Sequence, residues 1–199
     1  MAILRLLSEE VFDYSQDQMT SAKAKNLKTT MCQEFSSIFQ LCSEVLNTAN
    51  QSSLIKATLE TLLRFLNWIP LGYVFETPII NTLLNRFLDV PDFRNVTLKC
   101  LTEIGSLPIG QQYSYDEKLV QMFTETLTTV SKIIPLSLNL KQTYQTSNSR
   151  DQEFVLNLAL FLCNFFSVRL NVGNSRCISE RQRSNCHCRS LRNFPIVIT

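Results

Sequence analysis

Residues 57–104 read ATLETLLRFLNWIPLGYVFETPIINTLLNRFLDVPDFRNVTLKCLTEI, three amphipathic helical segments within 48 residues, separated only by short turns. A train this dense cannot hide all its apolar stripes inside one helix pair. It requires a neighbour on each side, which makes it part of a stacked helical array. A magnitude supports stacking. A large apolar residue contributes about 1.5–3 kcal/mol when fully buried, and each helix offers only a handful. Ordering about 15 residues costs about 1–2 kcal/mol apiece for the backbone alone. An isolated hairpin is therefore marginal, and adjacent pairs decide whether it folds.

The same pattern extends in both directions. Residues 1–12 look like the end of a helix. A long helix is expected over 20–46, opened by Thr20 as N-cap, with Leu27, Met31, Phe35, Ile38, Phe39, Cys42, Val45 and Leu46 on one face at 3.6 residues per turn. A third is expected over 54–68, with Ile55, Leu59, Leu62, Leu63 and Leu66 inward and Pro70 and Gly72 as its stop. Thr77 followed by Pro78 reads as an N-cap and first helical residue. Ile80, Leu83, Leu84, Phe87 and Leu88 follow at the spacing of an amphipathic helix that Pro91 ends. Asp92 is expected to open the next, with Phe93, Val96, Cys100, Leu101 and Ile104 inward and Gly105 and Pro108 at its end. Asp116 opens a sixth, with Leu119, Val120, Phe123, Leu127, Val130, Ile133 and Ile134 inward. After a polar connection over 136–150, Asp151 opens the last, with Phe154, Val155, Leu158, Phe161, Leu162, Phe165 and Phe166 on one face. Nothing before Pro195 alternates at period two. The fold class is all-α, and helix pairs recurring every 40–60 residues bracket the HEAT and armadillo period of about 40–47.

Charge divides the chain in two. Residues 1–168 carry 13 Lys/Arg and 16 Asp/Glu, a net of −3; residues 169–199 carry six Arg and one Glu, a net of +5. The expected organisation is a helical-repeat body over 1–168 and a basic, Cys/Arg-rich, disordered tail over 169–199. No signal peptide is visible, and Cys32, Cys42, Cys100 and Cys163 lie in apolar helices as small hydrophobes. An intracellular, reducing compartment is the expectation. There the sequons at Asn50 and Asn95 have no meaning. The most apolar run, 154–168, is too short to span a bilayer.

Signatures of catalysis are missing. The one histidine, His187, sits in the tail, and the four glycines are too scattered to cradle a phosphate. Glu60, Glu76 and Glu103 read as solvated helix carboxylates. No catalytic or cofactor-binding residue is assigned, and no cofactor is expected. In the tail, Cys177, Cys186, His187 and Cys188 are zinc-type ligands, but a single residue between paired cysteines is poor spacing, so no metal site is assigned. The tail arginines offer phosphate-type contacts without the aromatics of an RNA-binding fold. Trp68 and Asn67 read as core and turn residues, and the sequence leaves open which surface Arg64, Arg86 and Arg94 line.

Five phrases carry a family likeness: ILRLLSEEVFDYS (3–15), MCQEFSSIFQLC (31–42), ATLETLLRFLNWIPLGYVFET (57–77), FRNVTLKCLTEI (93–104) and FVLNLALFLCNF (154–165). They resemble the exportins, the nuclear export receptors of the karyopherin (importin-beta) family, over nearly all of 3–168. The resemblance implies a HEAT-repeat superhelix that binds the Ran GTPase in its GTP form and leucine-rich export-signal cargo, meets nuclear pore proteins and shuttles between nucleus and cytoplasm. It implies neither membrane insertion nor direct nucleic-acid binding. The similar block lies in the N-terminal half of the family's superhelix. The family's cargo groove, reactive groove cysteine and acidic loop lie further along, so no partner-binding residue carries over.

The expected function is therefore a fragment or truncated isoform of an export receptor, not export-competent alone. The alternative is a generic helical scaffold whose tail binds zinc or RNA. After Val168 the likeness stops, and the tail reads as an alternative or mis-spliced end or a faulty gene model. With no polar capping repeat, the last helix is expected to expose its outer face and to favour self-association.

Overall fold

The stripes become helices joined by short turns. The computed structural model describes residues 21–66, 69–107, 115–134 and 139–168, with Leu4 and Ile109 as isolated positions. In chain order the elements are α1 (Ser21–Thr48), α2 (Ser52–Phe65), α3 (Leu71–Phe75) and α4 (Ile79–Thr82). A π-helical turn (Leu83–Phe87) continues α4 directly, and α5 (Arg94–Ser106), α6 (Asp116–Ile133) and α7 (Leu140–Thr146) follow. The last helix, α8, spans 149–168. Among the described residues there is no strand. The expected first helix, the Thr20 cap, Trp68, Asn67 and the tail lie outside the described residues.

The contacts define two layers. In one layer α1 lies beside α4, and the π turn lies beside α6. In the other α2 packs on α5, and α5 meets α8 through side-chain bonds at its start and Phe165 near its end. Across the layers, α1 pairs with α2 and the π turn with α5. The third pair is α6 with α8, joined by stacked rings: Phe123 lies 4.4 Å from Phe165 and 5.7 Å from Phe161. Three pairs side by side in two layers form an all-α solenoid of the HEAT type.

The middle pair explains why one stripe was too few. In α5 the predicted Val96, Cys100, Leu101 and Ile104 are buried, but so are Leu98, Thr97, Thr102 and Gly105. A helix with neighbours on three sides loses its solvent face. The buried threonines are accommodated locally. Thr58, Thr61, Thr102 and Thr126 donate their hydroxyls to the carbonyls of Leu54, Ala57, Leu98 and Met122, each 2.7–2.8 Å away. A hydroxyl bonded four residues back leaves the methyl to pack as an apolar group.

Several boundaries differ from expectation. Pro70 and Gly72 do not simply stop a helix. Pro70 precedes α3, where proline's fixed φ suits a helix start, and Gly72 sits inside that helix. Thr77 does reach the next helix, accepting from the Ile79 amide at 3.4 Å, while donating to Tyr73. The stripe from Ile80 to Leu88 is buried as predicted, but through a π turn closed by Leu88 N–H on the Leu83 carbonyl at 3.1 Å. The polar connection contains α7, capped by Asn139, whose side chain accepts from Gln142. Asn148, not Asp151, caps α8, accepting from the Asp151 amide at 3.0 Å.

Some inward assignments fail. Val120 is 60 % exposed and Phe166 50 %, while Met122, Thr126 and Asn157 are buried instead. Cys163 is exposed, unlike Cys42 and Cys100. Among the described residues the neighbouring pair lies on one side only, so the buried arc is narrower than the apolar stripe.

Candidate partner-binding surfaces

What a stacked array offers a partner is the surface at the seams between adjacent repeats, and three clefts lie there among the described residues. Between α1 and the α3–α4 turn lies a groove of about 290 Å3, with Phe39, Tyr73, Pro78 and Ile79 inside and Ser36, Gln40 and Asn47 at its rim. Between α4 and α6 lies a second, of about 300 Å3. Its floor is Ile80, Leu84 and Met122, and Glu76, Lys118 and Glu125 are at its edge. On the opposite layer a polar cleft of about 230 Å3 is ringed by Lys56, Glu60, Asp92, Lys99, Arg150 and Glu153. Its charges balance, so it presents a pattern rather than a field.

That polar cleft is braced by a lattice between the starts of α5 and α8. Arg94 pairs with Asp151 and lies over the Phe154 ring, 4.9 Å from its centre. Arg150 pairs with Asp92 at 2.7 Å, and Lys99 with Glu153 at 2.8 Å. Asn95 adds bonds to the Arg150 carbonyl and to Glu153. The Lys99 hydrogen bond holds the Glu153 carboxyl below its ordinary range. Partners here are 54–58 residues apart in sequence, so no local spacing announces them.

The other layer is tied by carbonyl caps. Arg86 donates to the carbonyls of Leu46 and Asn47, closing the end of α1. Lys118 donates to the Phe75 carbonyl at the end of α3, and Tyr115 stacks on Phe75 at 4.7 Å while its hydroxyl bonds Glu76. Thus two of the three arginines left open by the sequence are staples between repeats. Arg64 is exposed on α2. Of the three glutamates, Glu76 is held by Tyr115 and Glu60 lines the polar cleft.

The tail cluster of Cys177, Cys186, His187 and Cys188 lies outside the described residues. Among the described residues no group of three or more His, Cys, Asp or Glu is placed to hold a metal ion. None of their helices is long and apolar enough to cross a membrane. Burial pushes the Cys42 thiol up to about 11. It raises the Cys100 thiol further, where Sγ donates to the Leu59 carbonyl at 3.6 Å. Neither is a nucleophile at neutral pH.

Repeat seams of this kind are shared by many solenoids, so the wording of the sequence decides between them. The family described as Exportin 1-like protein matches residues 1–101. This chain belongs to the exportin 1-like family. It is 59% identical over 170 residues to Exportin-1 of Schizosaccharomyces pombe, covering 85% of this chain and 16% of that protein. It is 54% identical over 165 residues to Exportin-1 of Drosophila melanogaster, covering 83% and 15%. It is 45% identical over 172 residues to Protein EXPORTIN 1B of Arabidopsis thaliana, covering 86% and 16%. The chain thus spans about 16% of the length of the exportin 1-like relatives it matches.

Proposed function

We propose that residues 1–168 act as a block of repeats in a nuclear export receptor. In that setting the block takes part in gripping Ran in its GTP form and in carrying leucine-rich export-signal cargo past nuclear pore proteins, shuttling between nucleus and cytoplasm. The role is transport, with binding and release in place of catalysis. The observation that carries this reading is the likeness to exportin-1 proteins over the part of the chain that builds the solenoid. The physical argument is that a solenoid binds through surface presented by several repeats at once. Three pairs joined by side-chain staples give a stiff segment of such a surface. Alone they give too little of it for a receptor, a cargo and a GTPase to assemble together.

Two experiments test the proposal. Residues 1–168 are exchanged for the matching block of Schizosaccharomyces pombe Exportin-1, and export of a leucine-rich reporter is measured in yeast. Export close to the parent is expected, and its loss with the chimera folded and abundant would count against the reading. Separately, the isolated chain is mixed with GTP-loaded Ran and a leucine-rich peptide. No stable ternary complex is expected, and tight assembly would refute the claim of incompetence alone.

A further inference from the structure

We propose that Thr77 is a phosphorylation site for a proline-directed protein kinase, and that a phosphate there closes the grooves on either side of it to uncharged apolar partners. The chain has six prolines, and Pro78 alone follows a hydroxyl residue. Proline at that place matters chemically because it has no amide hydrogen. A kinase surface that offers no acceptor to the residue after its target leaves nothing unpaired only when that residue is proline. The fold puts Thr77 where such a surface reaches it. Half-buried, it lies in the short connection between α3 and α4, flanked by Glu76 and Pro78, both exposed. The residue before a proline is biased towards extended backbone, the shape in which a kinase cleft takes a peptide. Little main-chain bonding opposes that shape: the Ile79 amide goes to the Thr77 hydroxyl rather than to a carbonyl. Thr77 Oγ1 itself donates within the same turn, to the Tyr73 carbonyl at 2.7 Å.

The step is a phosphoryl transfer from ATP. The Thr77 oxygen attacks the γ-phosphorus and a new O–P bond forms. The bond from that phosphorus to the β–γ bridging oxygen breaks, ADP leaves, and the hydroxyl proton passes to the base of the kinase. The product carries a charge of about −1.5 to −2 at pH 7, and its oxygen no longer donates to Tyr73. Position turns this local change into a switch, because Thr77 lines both grooves of its layer. The groove beside α1 has no charged residue on its wall; Phe39, Tyr73 and Ile79 lie inside and Ser36, Gln40 and Asn47 at the rim. A dianion there must keep its water, so an apolar group that would fill the groove is turned away. The groove beside α6 does not neutralise the phosphate either. Lys118, the one cation on its wall, is held by the Phe75 carbonyl and outnumbered by Glu76 and Glu125. Neither the site nor the switch depends on the transport role.

The full chain is incubated with a proline-directed kinase and Mg–ATP, beside a peptide of residues 71–83, and phosphate is mapped by mass spectrometry. A turn that offers Thr77 about a tenth of the time is modified about tenfold more slowly than the free peptide, and that slowing or less is expected. Phosphate at Thr77 should vanish in Thr77→Val and in Pro78→Ala. Cys42, buried in α1, stays closed to iodoacetamide in each chain and certifies its fold. A peptide that the kinase refuses, a folded chain modified only after urea, or equal modification of Pro78→Ala would each overturn the site. The switch is read with indole, a neutral apolar probe, followed at the methyl signals of Ile79 inside the groove beside α1. Binding several-fold weaker to the phosphorylated chain is expected. Equal affinity, or no binding to the unmodified chain, would overturn the switch.

Discussion

Arg86 donates to the Leu46 carbonyl at 2.8 Å across forty residues of sequence. One guanidinium thus closes the end of α1 from the neighbouring pair, and the π turn that carries Arg86 also buries Leu83, Leu84 and Phe87. The end of one repeat is finished by the next, which is the physical meaning of a solenoid.

Replacing Arg86 by alanine leaves two carbonyls at the end of α1 without that donor. Hydrogen bonds to charged groups are worth about 1.5–3 kcal/mol, less where water substitutes. Because Arg86 is itself largely exposed, a loss of about 1 kcal/mol is expected in urea unfolding, with faster amide exchange near Leu46. An unchanged midpoint and exchange pattern would show that water caps α1 equally well.

Gly105 of α5 faces the Phe165 ring of α8. A methyl added there sits 3.2 Å from the Phe165 ring, so a branched side chain has no room. Gly105→Leu is expected to cost about 1–3 kcal/mol through overpacking. The fluorescence or NMR signals of the Phe123 and Phe165 surroundings should shift while α1 and α2 are undisturbed. Full retention of stability would show that α8 slides freely on α5.

The Lys99–Glu153 pair gives the seam between α5 and α8 a pH dependence of known sign. Glu153 titrates below its ordinary value of 4.5 when folded, so its contribution is present above that value and is lost as pH falls through the folded pKa. Both side chains are nearly half exposed, which limits the effect to a few tenths of a kcal/mol. Carbon-detected titration of Glu153 should show the depressed midpoint, returning to normal in Lys99→Ala. A normal midpoint in the parent chain would remove the pair from the account.

The buried thiols predict a separation of reactivity. Burial raises both Cys42 and Cys100, so a thiol reagent at pH 8 should reach them only through opening of the fold, at rates that follow denaturant. Fast modification of Cys100 in native conditions would show that α2 and α5 part more easily than their packing implies.

The class of fold was readable from periodicity because each helix must show an apolar side to its neighbours, and the stripe of α4 and the π turn was buried residue for residue. The exposed Val120 and Phe166 were misread for the same reason that the stripe is informative: apolar spacing marks what can be buried, not what is covered. The buried threonines were passed over because their hydroxyls look polar in a list of residues and become satisfied only once a helix supplies the carbonyl four places back. Asn148 was missed as a cap because Asp151 offered the same chemistry three residues later, and Asp151 is instead taken up by Arg94.

The seams that make up the candidate surface were illegible. Arg150 and Asp92 are 58 residues apart, Lys99 and Glu153 54, and a pair of opposite charges at that distance in sequence is indistinguishable from two solvated side chains. The amino-acid order alone determined the helices, their apolar sides and the family, because those depend on neighbours within a few turns. Which pairs lie side by side, which arginines become staples and which apolar side is left uncovered were decided only by tertiary structure, since packing brings together groups whose separation along the chain carries no signal.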